Sequence, residues 1–228
     1  MTPTLIEIAD AAGVSVATVS RVLNDNGHPV AARTRTRILA LAQQMGYEPN
    51  LVARGLRKQQ TYMVGVIVDR ISSPFAGATV QGLQDRLKLD GYSTSMVNAN
   101  RDAETVFESI KEFNRRRVDG IILLNSWLHP YNDDVLSSID RKPFVLINRI
   151  IEEIRHQCVA PGDELGAQMA VSHLANLGHR RVAYINGLGD WLEAQNRLHG
   201  YQDVVNELGL DADPSLIQQG DWGVESGY

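Results

Sequence analysis

Ser15-Val-Ala-Thr-Val-Ser-Arg-Val-Leu-Asn24 sets hydroxyls, small apolar groups and one guanidinium at helical spacing, a set suited to reading a polyanion rather than to bond-making chemistry. A guanidinium can donate to guanine O6 and N7 together, so Arg21 is the candidate base reader, while Val16 and Ala17 suit thymine methyls. Ser15, Thr18, Asn24 and Tyr47 carry hydroxyl or amide groups that suit phosphate oxygens, contacts that fix register without reading sequence. Local capping and packing is an equal alternative for Thr18 and Tyr47. Catalytic groupings are missing: no Gly-x-Gly-x-x-Gly, Walker loop, Gly-x-Ser-x-Gly or His-Glu-x-x-His occurs, so an enzyme is not expected. The six histidines show no metal-ligand spacing, and the single Cys158 has no companion thiol for a disulfide or a metal cage. Neither a cofactor nor a metal is expected.

These groups need elements to hold them. Thr4 and Glu7 fit a capping box ahead of a short helix that Gly13 ends. Ser15 can cap a second helix, Val16 to Leu23, and a third is expected from about Arg33 to Met45. Two short helices joined by a Gly-containing turn, the second exposing its first turn, make a helix-turn-helix. Any small three-helix bundle shares that spacing; local positive charge and Arg21 on the exposed face favour the specific reading. From Tyr62 the period changes to alternating strands and helices: strands at 62–68, 92–97, 120–124, 144–147 and 182–185, helices at 74–87, 103–116, 165–177 and 194–208. Such alternation implies a doubly wound α/β domain with a parallel sheet. Ligands in such sheets sit outside the carboxyl ends of the strands, which points to Asp69, Asn98, Asn125, Asn148 and the segment after Ile185. The expected domains are 1–47, 48–61 as a hinge, and 62–228. A hinge of that length has too few turns to be a stable helix alone.

Composition agrees with this division. The chain has 228 residues, 43% hydrophobic and 21% charged, the balance of a globular protein with one large or two ordinary domains. No stretch is long and apolar enough to span a membrane, and the start lacks signal-peptide character, so a cytoplasmic protein is expected. A net charge of −5 argues against a nucleic-acid partner, yet it divides into +3 over residues 1–60 and −8 over the remainder. A basic head on an acidic body fits a protein whose head alone meets a polyanion.

The run Ile8-Ala-Asp-Ala-Ala-Gly-Val-Ser-Val-Ala-Thr-Val-Ser-Arg-Val-Leu-Asn24 resembles the signature of the lactose/galactose repressor (LacI/GalR) family of bacterial transcription regulators. Gly46-Tyr-Glu-Pro-Asn50 and Ala53-Arg-Gly-Leu56 are similar to its helix end and hinge. Arg117-Val-Asp-Gly-Ile-Ile122, Gly178-His-Arg-Arg-Val182 and Arg197-Leu-His-Gly-Tyr201 are similar to its effector domain, and the segment around Asn148-Arg149 looks most like the galactose-repressor branch. The resemblance implies a homodimer that binds a palindromic double-stranded DNA operator, with Leu56 wedged between base steps in the minor groove. It also implies a periplasmic-binding-protein-like domain that takes a small sugar effector in a cleft and so releases repression of sugar-utilisation genes. Asp69, Ser73, Asn125, Asn148 and Arg197 would bond the hydroxyls; Phe75, Trp191 or Trp222 would cover the apolar face, with packing an equal alternative for Phe75 and Trp191 and a structural ion pair the alternative for Arg197. Trp222 occupies the position of a sugar-stacking tryptophan in some relatives. Three departures stand out. Ala31 replaces the usual Ser or Thr cap of the third helix, Val159-Ala-Pro-Gly-Asp163 replaces a common Asp-Asn pair, and the chain stops well short of the family's length. A C-terminally truncated effector domain is therefore expected. The alternatives are a remnant without effector response, or a sugar-binding module only.

Overall fold

The computed structural model describes residues 3–23, 29–48, 60–124, 132–139 and 142–227. Its contacts divide the chain into two units, Met1–Thr61 and Tyr62–Tyr228.

The first unit holds three helices, α1 (Leu5–Ala12), α2 (Val16–Leu23) and α3 (Ala32–Gln44). The capping box forms: Glu7 N–H donates to Thr4 Oγ1 (3.3 Å) and Thr4 N–H to Glu7 Oε2 (2.7 Å). Those bonds favour the ionised carboxylate and hold Glu7 below its ordinary pKa. Gly13 ends α1 at φ +60°, a left-handed position that costs a glycine little. Ile8, Ala9, Ala12, Val19, Val22, Ile38 and Ala42 form one buried cluster, with Tyr47 packed partly against it. At the start of α3, Ala31 occupies the cap and offers no side-chain hydrogen bond. The helix spans Ala32–Gln44, one residue ahead of the expected range at each end.

The second unit is α/β. Its main sheet has strands β1 (Met63–Val68), β2 (Ser93–Asn98), β3 (Gly120–Leu124), β4 (Phe144–Ile147) and β5 (Cys158–Val159), ordered β2-β1-β3-β4-β5 and parallel throughout. Around it run α4 (Pro74–Leu89), α5 (Ala103–Arg115) and α6 (Asn132–Ser138). Interior strand β1 is buried from Val64 to Val68, as a strand covered on both faces must be. Val64, Val66 and Val68 meet Ala76 and Val80 of α4, whereas Ile67 joins Val106, Ile110 and Phe113 of α5. Gly65 sits beneath the Phe113 ring, where any Cβ would enter the ring.

A second, two-stranded parallel sheet pairs β6 (Tyr184–Asn186) with β7 (Ile217–Gln219), and α7 (Asp163–Asn176) packs on α8 (Leu192–Glu207) beside it. Their shared core contains Val171, Ala175, Val182, Tyr201, Val204, Val205 and Leu210. At the crossing, Gly200 lies so close to the Glu164 carbonyl that a Cβ would collide with it.

Several boundaries differ from the sequence expectation. The strand expected at 182–185 is Tyr184–Asn186, because the Val182 carbonyl accepts from the buried Tyr201 hydroxyl (2.8 Å) instead of joining the ladder. The helix expected at 165–177 begins at Asp163, whose acidic first turn suits a helix N-terminus. Helix α8 starts at Leu192 rather than 194, and α6, β5 and β7 were not anticipated. Among the described residues no helix is long and apolar enough to cross a membrane.

Candidate functional site

On α2, Val19 (0% exposed) and Val22 (3%) turn into the core, so the opposite face carries Val16, Ala17 and Arg21 outward. The Ser15 hydroxyl accepts from Thr18 N–H (3.2 Å) and lies 2.9 Å from Thr18 Oγ1, so both hydroxyls fasten the first turn. Tyr47 is half-buried against the helical core. Asn24 and Leu56 lie outside the described residues, as does Asn125.

In the second unit a pocket of about 520 Å³ opens at the carboxyl ends of the main-sheet strands and is completed by α8 and the segment after β7. Asp69 follows β1, Leu124 ends β3, and Asn148 follows β4; Ser73 and Phe75 belong to the start of α4. Arg197 and Trp191 come from α8 and its cap, and Trp222 from the turn after β7. The expected polar and aromatic residues that are described thus line one cavity. Asn98 instead ties its own loop to the one after β1, accepting from Ile71 N–H (3.0 Å) and donating to Asn100 (2.9 Å).

Asn148 stands at φ +66°, a left-handed conformation that asparagine tolerates better than most side chains. Its Nδ2 donates to Glu193 Oε1 (3.0 Å), tying the end of β4 to α8, while its Oδ1 is buried without a hydrogen-bond partner. A buried acceptor of that kind in a cavity wall is a place for a ligand donor. Glu193 (4% exposed) and Arg149 (6%) are buried behind it. Burial draws the Arg149 guanidinium below its ordinary pKa, and the Glu193 charge opposes that shift.

Arg197 has a partner that sequence could not supply: its Nε donates to Asp163 at 2.6 Å. Its guanidinium carbon also lies 4.9 Å from the Trp222 ring centroid. Trp222 stands edge-on to Trp191 at 5.0 Å and packs so tightly on Gly187 that a Cβ there would enter the indole. Phe75 (51% exposed) and Trp222 (45% exposed) both keep open aromatic surface, whereas Trp191 (8%) is buried. Arg70, Arg101 and Asp221 also line the pocket and were not anticipated; Arg101 stacks 4.3 Å from the Trp191 centroid. Its position past a strand end was the available signal.

Away from the pocket, the exposed His199 imidazole lies between Glu164 and Asp203, 3.6 Å from each. The spacing of the histidines alone did not suggest this grouping.

A helical unit presenting a polar-capped, outward-facing second helix, followed by a parallel α/β unit with a cleft at its strand ends, matches two family models in succession. Residues 4–50 match the bacterial regulatory proteins of the lacI family, and residues 61–227 match the periplasmic binding proteins and sugar binding domain of the LacI family. The chain belongs to the LacI family. Among LacI-family relatives, the transcriptional regulator GalR of Salmonella typhimurium strain LT2 is 33% identical over 219 residues, covering 96% of this chain and 63% of that protein. DegA of Bacillus subtilis is 30% identical over 229 residues, covering 100% and 68%. The LacI-family fold is shared with the lac repressor dimer bound to operator and the anti-inducer ONPF, at TM-score 0.83, 25% identity and coverage of 100% of this chain and 68% of that one. A CelR–cellobiose complex aligns at TM-score 0.63 with 27% identity, covering 99% of this chain and 68% of that one. The chain spans 63% of the GalR relatives' length.

Proposed function

We propose that this chain is a sequence-specific DNA-binding transcriptional regulator, a repressor of sugar-utilisation genes in the cytoplasm that a small sugar effector releases from a palindromic operator. The observation that carries the reading is α2, whose buried Val19 and Val22 turn Val16, Ala17 and Arg21 outward as a groove-reading face requires. Arg21 is the base reader, with Val16 and Ala17 meeting thymine methyls; Ser15 and Thr18 are assigned to phosphates. The effector role rests on the pocket of Asp69, Ser73, Phe75, Asn148, Arg197 and Trp222. The operator-bound and sugar-bound states named for related LacI-family structures support the pairing of the two functions, and the dimeric lac repressor supports a homodimer.

The test selects duplexes from a random pool with the 228-residue chain. It then measures binding to the selected site with and without a panel of monosaccharides and their acidic and phosphorylated derivatives, alongside the oligomeric state. A palindromic selected site whose affinity falls when an effector is added supports the reading. Failure to enrich any sequence overturns it. Enrichment without any response across the panel removes the effector half alone.

A further inference from the structure

We propose that the ligand of this pocket is an anionic carbohydrate, a sugar carrying a carboxylate or a phosphate, and that Arg101 is the residue that selects for its charge. The inference rests on the effector reading above and narrows it to a chemical class.

Three guanidiniums line the pocket, Arg70, Arg101 and Arg197, against two carboxylates, Asp69 and Asp221. The carboxylates are partly engaged: Asp69 Oδ2 faces Arg101 Nε at 3.5 Å, and Asp221 Oδ1 accepts from Gly223 N–H (2.7 Å) and the Ser226 hydroxyl (2.6 Å). The guanidiniums are engaged too, Arg197 with Asp163 and Arg101 with Asp69, yet they keep donors in reserve. Arg101 lays one face over the buried Trp191 ring and makes that single long contact to Asp69, leaving its terminal nitrogens without a hydrogen bond among the described residues. Arg197 repeats the pattern, stacked over Trp222 and using only Nε for Asp163. The Arg70 side chain makes no hydrogen bond or ion pair among the described residues, though its charge acts on the Asp221 carboxylate.

Stacking an indole on the face of a guanidinium fixes its plane, and the N–H groups in that plane then point at whatever fills the cavity. A carboxylate or phosphate accepts two such N–H bonds at once, whereas a sugar hydroxyl matches only one and leaves charged donors poorly paired. The backbone supports the same placement. Asn100 (φ +50°) and Arg101 (φ +61°) are successive non-glycine residues in the left-handed region, an unfavourable arrangement that turns Arg101 toward the pocket. Two helices also begin at the cavity. Ser73 and Trp191, at the caps of α4 and α8, line it and make no side-chain capping bond, so first-turn amides of both helices lack a side-chain acceptor there.

The test is calorimetric titration of the 228-residue chain with matched probes: D-galactose, D-galacturonate and D-galactose 6-phosphate, then D-glucose, D-glucuronate and D-glucose 6-phosphate, with inorganic phosphate alone as a separate arm. In at least one series an acidic derivative is expected to bind about tenfold or more tighter than its neutral parent, with an advantage that shrinks as salt is raised. Arg101→Gln is expected to abolish that advantage, read within the variant as the ratio of its affinities for the acidic derivative and the neutral parent. The carboxylate and phosphate arms decide which anion is preferred, and phosphate binding as well as either sugar derivative would overturn a carbohydrate ligand. A neutral sugar binding as tightly as its acidic derivatives overturns the inference and leaves the effector reading standing. No binding by any probe overturns both. If Arg101→Gln fails to fold, the salt dependence in the native chain still decides, since a salt-independent preference also overturns the role of charge.

Discussion

Arg21 lies on the exposed face of α2 and is the one cation of that helix. Replacing Arg21 with Ala is expected to cost about 1–3 kcal/mol in binding to the selected operator and to relax the preference at one position of each half-site. Fluorescence anisotropy on matched and single-mismatch duplexes checks this; an equal loss on every duplex would make Arg21 a phosphate contact. At this scale sequence pattern reaches half of each interaction. Asn148 was marked by its place after a strand, but Glu193, 45 residues further on, was not, because only the folded α8 brings that carboxylate to it. Arg197 and Asp163 repeat the lesson, as do Arg101 and Asp69. A lone polar residue at a strand end is legible; its partner is a property of the tertiary structure.

Elements were more legible than their ends. The continuous apolar run at β1 and the capping box of α1 are local signals, and both elements form where the pattern puts them. Two-residue β5 and three-residue β7 are shorter than any period can mark, and they exist because β4 and β6 offer edges to pair with. At α3, Ala31 leaves first-turn amides without a side-chain acceptor. Ala31→Ser is expected to stabilise the helical unit by about 1 kcal/mol, read as a higher urea midpoint at unchanged slope. Gly200 is the reverse case. Gly200→Ala forces a methyl against the Glu164 carbonyl at the α7–α8 crossing, and a loss of about 1–3 kcal/mol is expected in denaturant titration. No loss would mean that the two helices separate without cost.

Across the whole molecule, each unit carries its own core: Ile8 to Ala42 in one, and the clusters around Ile67, Val66 and Val204 in the other. Separate cores give separate cooperativity. Calorimetry is expected to show two transitions, of which only that of residues 62–228 rises with a pocket ligand, by about 2.7 kcal/mol at a hundredfold excess over Kd. A single transition that moves as one with ligand would refute this independence. The charge asymmetry of the sequence follows the same division, with the positive excess on the unit that carries α2 and the negative excess on the unit that carries the pocket. The packed pair of indoles has a further, optical consequence. Two of the three tryptophans in the chain stand 5.0 Å apart in the pocket wall, each beneath a guanidinium, so a ligand entering the cleft is expected to change the intrinsic emission and near-ultraviolet circular dichroism. Titration followed by tryptophan emission, without any label, checks this; a spectrum unmoved at saturation would place the ligand away from the indole pair.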